Sequence, residues 1–424
     1  MERFLDQAEI LLGDVVQSRD LSTLIVLHRL RDLSEVLDSL KLYEECRLTC
    51  NCALELADAL GRRSLAFRHE QAETVAFIAG LTVYRPRART LFIQAVSICE
   101  ELVRDNASHS NKITFLNVLG RAGYSGPDDL RVQWLERAVQ LMTKELPLTM
   151  VHPPTRWYIY YGYGRGLRQL KQNASAVDAF DDAISNGRIM VNIDPAKQYF
   201  RLVLALQIMG QTLGDLCKYD DAVVVYKEAL EICTTMSAQD PLQSNQLTAD
   251  TLQYYAMTLV KSNQASEALA VRKQAVSLCR NFAQVKDEFT KRLCDALHNY
   301  GDSCFSLGQN AESLLAYQES IDLRLAFAAT DLEQDKRLGY SYHDIANSFH
   351  ALGKCAEANA AASEALERNH GAVLEICDFA PDFKSCFVCQ RAMIPDSLSN
   401  ASAPHPFPPA TSSSQPAEHH RSDV

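Results

Sequence analysis

The stretch Leu206–Cys233, LQIMGQTLGDLCKYDDAVVVYKEALEIC, reads as two helices joined by a turn. Its second half carries Ala222, Tyr226 and Ala229, spaced by four and then three residues and so aligned on one helix face. Its first half brings a large apolar residue and a small one, Met209-Gly210, twelve residues ahead of Ala222. Small residues on such faces let a neighbouring helix approach closely, and the aromatic ring fills the gap beside them. The same layout returns in Leu297–Leu323, LHNYGDSCFSLGQNAESLLAYQESIDL, with Tyr300-Gly301, Ser313, Tyr317 and Ser320.

Followed outward, the position of Ala229 recurs as a small residue before an aliphatic one: Ala53-Leu54, Ala95-Val96, Ala138-Val139, Ala183-Ile184, Ala229-Leu230, Ala275-Val276, Ser320-Ile321 and Ala365-Leu366. The intervals are 42, 43, 45, 46, 46, 45 and 45 residues. A fixed period in this range marks a solenoid, whose units bury their apolar faces only by stacking on neighbours. The first-helix small position is filled by Ser34, Ala76, Gly164, Gly210, Ala256, Gly301 and Ala346. Leu307-Gly308-Gln309-Asn310 and Leu352-Gly353-Lys354 predict the turns inside units, and Asp194-Pro195 and Asp240-Pro241 predict helix starts between them. The third unit departs from the pattern: Gly120 lies only eleven residues before Arg131, and Gly123, Gly126 and Pro127 intervene, which predicts a distorted unit or a joint.

These positions resemble the tetratricopeptide repeat: a small residue on the first helix, then small, aromatic and small residues on the second. The resemblance covers roughly residues 20–380. The usual period is 34 residues, so units of about 45 carry some ten more. Shared by two helices, these lengthen each by ~7 Å. Long units of this kind are similar to those of kinesin light chain and of large fungal arrays. The resemblance implies an all-α, right-handed superhelical solenoid of about eight hairpins. The expected organisation is an N-terminal capping helix over 1–19, the repeats over 20–380, a C-terminal cap over 381–394 and a disordered Pro/Ser-rich tail over 395–424.

Composition narrows the function classes. A formal charge of −11 opposes nucleic acid as the main partner, because phosphate binding needs a cationic surface. It also disfavours anionic membranes. No apolar run reaches the ~18 residues of a membrane-spanning helix, and the N-terminus is a poor secretory signal, so a cytoplasmic location is expected. Cys99, Cys233 and Cys279 each follow a signature alanine by four residues, and Cys46 and Cys50 fill other repeat positions. They read as reduced core cysteines.

Three segments mimic chemistry. Gly162-Tyr163-Gly164-Arg165-Gly166 lacks the Gly-Lys-Ser/Thr ending of a phosphate loop, and Gly164 is already explained by packing. Cys386-Phe387-Val388-Cys389 is a lone Cys-x-x-Cys, with Cys377 and His370 upstream and His419 and His420 in the tail, short of a structural zinc set. The motifs of serine hydrolases and zinc proteases do not occur, so no catalytic residues, cofactor or metal are expected.

The tetratricopeptide resemblance implies that first helices line a concave face. Positions three before and one after each small residue then point into a groove: Tyr161 and Arg165, Gln207 and Gln211, Gln253 and Met257, His298 and Asp302, His343 and Asn347. One turn further lie Arg168, Phe305 and His350. Amides, imidazoles and aromatics suit an extended peptide, although a solvated helix face has the same composition. The expected function is a non-catalytic scaffold or adaptor that binds a peptide or protein segment. Two alternatives stand: the repeat region of a fungal signalling system acting with a nucleotide-binding or caspase-like partner, and an enzyme whose site forms between helices.

Overall fold

The structure is a computed structural model that describes residues 21–64, 67–81, 86–238, 240–283, 287–328 and 332–379. The expected capping helix over 1–19, the C-terminal cap, the tail and the Cys386/Cys389 pair lie outside the described residues. Among the described residues there are sixteen α-helices and no strand. They form eight hairpins: α1 (Leu21–Ser39) with α2 (Tyr43–Arg63), α3 (Arg68–Ala79) with α4 (Ala88–Asp105), α5 (His109–Ser125) with α6 (Asp128–Gln140), α7 (Pro153–Gln169) with α8 (Asn173–Ile193), α9 (Pro195–Asp215) with α10 (Tyr219–Met236), α11 (Pro241–Lys261) with α12 (Ala265–Ala283), α13 (Asp287–Ser306) with α14 (Asn310–Ala328), and α15 (Leu332–Ala351) with α16 (Cys355–Phe379). No described helix is long and apolar enough to cross a membrane.

The chain divides into two compact units, Met1–Leu247 and Thr248–Val424. In the first, each helix from α1 to α9 packs on its successor, and the first helices α1, α3, α5, α7 and α9 also pack each on the next. In the second, α12 to α16 pack in the same successive order, with α13 on α15.

The repeat code is a packing code. A Cβ on Gly164 would stand 2.7 Å from the Phe180 ring, one on Gly210 2.6 Å from Tyr226, and one on Gly301 2.6 Å from Tyr317. Each glycine precedes its ring by sixteen residues, so the ring of the second helix sits directly on the backbone of the first. Cys46, Cys50, Cys99, Cys233 and Cys279 are free and buried among these contacts, as their repeat positions predict. Burial pushes the thiols of Cys50 and Cys99 up to about 12 and that of Cys279 up to about 11. They are packing groups, protonated at neutral pH and poor nucleophiles.

Six first helices end in one turn. The residue in the left-handed region is Lys41, Lys171, Cys217, Asn263, Gly308 or Gly353, with φ from 59° to 74°. The residue that follows donates its N–H to the carbonyl five residues back, as Gln309 does to Cys304 O at 2.8 Å and Lys218 to Leu213 O at 2.9 Å. This is the Schellman arrangement. A side chain in the left-handed region costs about 1–2 kcal/mol, so Gly308→Ala is expected to lower stability by about 1 kcal/mol and Cys217→Gly to raise it by a similar or smaller amount. Urea unfolding midpoints of the two variants check the opposite signs. Nothing lies within 4 Å of a Cβ built on Gly308, so the test reads backbone strain alone.

The third hairpin is distorted, and the distortion has a defined form. Gly126 is extended (φ −82°, ψ −178°), Pro127 precedes α6, and the left-handed turn residue is missing. The turn is one residue shorter, and the glycine that meets the second helix is Gly123, not Gly120: a Cβ there stands only 2.1 Å from Leu135, twelve residues on instead of sixteen. The second helix ends in a π-helical segment, Leu141–Glu145.

Candidate functional site

In the second unit the first helices repeat one polar stripe. It comprises Asp250 and Gln253 on α11, Arg292, Asp295, His298, Asn299 and Asp302 on α13, and Arg337, Tyr340, Asp344 and Asn347 on α15. Spacings of three and four hold each set on one helix face. Successive helices are tied across the stripe: Arg292 donates to Asp250, and Arg337 Nη1 reaches Asp295 Oδ2 at 2.8 Å. In both pairs an arginine nine residues before a small position meets a carboxylate six residues before the preceding one. The first unit uses the same two positions when Arg201 Nη2 donates to Tyr158 OH at 2.8 Å.

Two adjoining hollows open along this stripe. One, of about 250 Å³, is bounded by Asp250, Gln253, Arg272, Arg292, Asp295 and Asn299. The other, of about 280 Å³, is bounded by Gln253, Asp295, His298, Asn299, Arg337 and Tyr340. They share Gln253, Asp295 and Asn299, and together form a polar trough across α11, α13 and α15.

At one end of the trough His298, Asp302 and Asp344 converge. His298 Nε2 lies 3.4 Å from Asp344 Oδ2 and 3.9 Å from Asp302 Oδ1. Tyr317 OH donates to Asp302 Oδ1 at 2.7 Å, and the His343 ring bonds Asp344 Oδ1 through Nδ1 at 2.7 Å. Loss of hydration raises the Asp302 carboxyl above its ordinary range, against the lowering pull of His298; the Asp344 charge adds to the rise. Burial beside Asp302 raises the Tyr317 hydroxyl as well, so it is a donor at neutral pH.

Ser341 Oγ stands 3.2 Å from His298 Nδ1, which outlines a Ser–His–Asp order with Asp344. It is not a catalytic triad. Ser341 is 0% exposed, so no substrate can reach it, and its hydroxyl has a second partner in Arg337 O at 3.2 Å.

The residues expected to face a groove divide between the two units. In the first, Tyr161 is buried and stacked on Trp157 (4.6 Å between centroids, 12° between planes), with the Arg165 guanidinium 5.8 Å above its ring. Gln207 is buried and donates to Leu247 O at 3.0 Å. Arg168 is tied to Asp215 at 2.9 Å and to Gln211 at 3.1 Å, so its charge is already neutralised. In the second unit Gln253 is exposed on the trough wall, and His298 and Asp302 are brought together in the cluster. His343 is buried behind Asp344, Asn347 is half-buried, and His350 is exposed. The position three before the small residue is thus a seam position in Tyr161, Gln207 and His343. Asp250, Asp295, Arg337 and Asp344 complete the trough, and the recurring Arg and Asp or Tyr positions are the sequence signal that marks three of them. Gly162, Gly164 and Gly166 lie inside α7, a helix and not a phosphate loop.

No protein-family model matches the chain, and no curated protein matches it in sequence. In three dimensions it is similar to solved proteins of the tetratricopeptide type. The apo form of RapI superposes with a TM-score of 0.55 at 11% identity, covering 86% of this chain and 94% of that one. PH0952 from Pyrococcus horikoshii, a signal transduction ATPase with a tetratricopeptide repeat sensor, gives 0.55 at 12% identity over 83% of this chain and 49% of its own. A putative kinesin light chain of Podospora anserina gives 0.37 at 13% identity, over 50% and 94%. The fold is therefore that of tetratricopeptide-type helical hairpins, built here from long units.

Proposed function

We propose that the chain is a non-catalytic interaction scaffold whose second-unit trough holds an extended peptide. The observation that supports this most directly is the pair of amides, Gln253 and Asn299, which line both hollows beside the Arg292–Asp250 and Arg337–Asp295 pairs, with Asn347 further along α15. The pairs fix the helices, and the amides offer a donor and an acceptor each to a peptide backbone. A preformed trough keeps the ordering cost of binding on the ligand side.

The test is selection from a displayed random-peptide library on the purified chain, followed by fluorescence anisotropy with the selected peptides. Gln253→Ala, Asn299→Ala and Asn347→Ala together should weaken binding at least about tenfold, since each hydrogen bond contributes roughly 0.5–1.5 kcal/mol. Undiminished binding by the triple variant would sink the reading. The likeness to PH0952 supports a second reading, a sensor array serving a separate nucleotide-binding chain; a binary complex with such a chain that the same triple variant leaves intact would favour it.

A further inference from the structure

We propose that His298, Asp302 and Asp344 form a binding site for a divalent transition-metal ion. The argument begins with the hydrogen on the imidazole. Ser341 Oγ lies 3.2 Å from both Arg337 O and His298 Nδ1; when its proton goes to Arg337 O it accepts from His298 Nδ1–H, the tautomer that metal binding at Nε2 requires. In that tautomer Nε2 presents its lone pair to the two carboxylates, and its separations of 3.4 and 3.9 Å place three electron-pair donors around one point. The three ligand atoms all lie within 4.8 Å of one another. A cation at about 2.0–2.2 Å from each needs only ordinary side-chain rotation to close the set.

The surroundings hold each ligand in place. Tyr317 fixes Asp302 through Oδ1, and His343 fixes Asp344 through Oδ1, which leaves Asp344 Oδ2 turned to His298. Metal-ligating imidazoles and carboxylates are oriented by outer partners of this kind. The side chains of His298, Asp302 and Asp344 are 20%, 41% and 27% exposed, so a hydrated ion can enter and keep water in its remaining positions. One imidazole and two carboxylates suit zinc, manganese, iron(II) or cobalt. The site does not depend on peptide binding. The competing occupant of the same space is a proton on Nε2, giving an imidazolium between two carboxylates.

Cobalt(II) separates these cases and also separates this cluster from the thiols of the chain. The chelator-treated full-length protein is expected to bind one equivalent of Co²⁺ saturably, with visible bands and without thiolate-to-cobalt charge transfer. Asp302→Asn combined with Asp344→Asn should weaken that binding more than tenfold. Tyr317→Phe, which keeps all three ligands, should weaken it by about 10–100-fold if the hydroxyl positions Asp302. Bound metal should raise the melting temperature of the wild type and not of the double variant. Absence of saturable binding, binding with a thiolate band, or binding undiminished in the double variant overturns the site.

Discussion

Asp295→Ala is expected to cost about 3–5 kcal/mol, the range for stranding one member of a buried ion pair. The stranded group is Arg324, among the largest fully buried side chains and only 2% exposed. Its Nη2 donates to Asp295 Oδ1 at 2.6 Å and its Nε to Ser320 Oγ at 3.3 Å. Ser320 in turn donates to Cys294 O at 2.8 Å. This explains why the signature reads Ser-Ile here, where the seven other units carry alanine: the hydroxyl accepts from a guanidinium that enters the core. Removing the carboxylate takes away the acceptor that faces Nη2 of this buried guanidinium. Arg324→Met removes the charge and keeps much of the volume, while Asp295 retains Arg337 and some solvent; it should cost far less, about 1 kcal/mol or under. The double variant should lie near Arg324→Met alone. Urea unfolding of the four proteins gives the coupling, and hydrogen exchange should place the loss in α13 and α14, because repeat arrays unfold in segments. If the single costs simply add, the pair is not coupled and the argument fails.

What the sequence makes legible here is set by distance along the chain. The hairpins, their turns and the core cysteines follow from period and face, since a residue's side of a helix is fixed by spacing alone. How far a seam closes is not. Tyr161, Gln207, Gln253, His298 and His343 hold one repeat position, yet three are buried and two reach the surface or the cluster, because their neighbours differ in size and charge. Asp344 escaped the reading for a related reason. It lies two residues before its small position, the place Asn299 holds on α13 and one that the expected groove positions leave out, and it meets His298 because α15 packs on α13 there. The third hairpin hid its register in Gly126-Pro127: without the left-handed residue, Gly123, twelve residues before Leu135 and not sixteen, meets that side chain in place of Gly120.

Gly210→Ala should destabilise the protein by on the order of 2 kcal/mol, although alanine is the better helix former by about 1 kcal/mol. The added Cβ would stand 2.6 Å from Tyr226 Cζ and 2.7 Å from Cε1, and the ring, 0% exposed, is a rigid body with no solvent to turn into. Strain therefore exceeds the propensity gain. The pairing predicts a change of sign: in a Tyr226→Leu background the same Gly210→Ala should become neutral or stabilising by up to about 1 kcal/mol, because the propensity term survives and the clash does not. The chain already holds both solutions, with Gly301 opposite Tyr317 and Ala346 sixteen residues before Ala362. Ala76 before Phe92 tests the rule from the other side: Phe92 leans on Trp134, 6.2 Å between centroids, a partner unlike those of the other rings. A stabilised Gly210→Ala in the wild-type background would refute the argument. At Gly301 the consequence reaches the trough, since a Cβ there must displace the Tyr317 ring, and Tyr317 holds Asp302. Gly301→Ala is thus expected to loosen Asp302 from its hydrogen bond as well as to destabilise α13 against α14, which ties the spacing of the repeat directly to the geometry of the site.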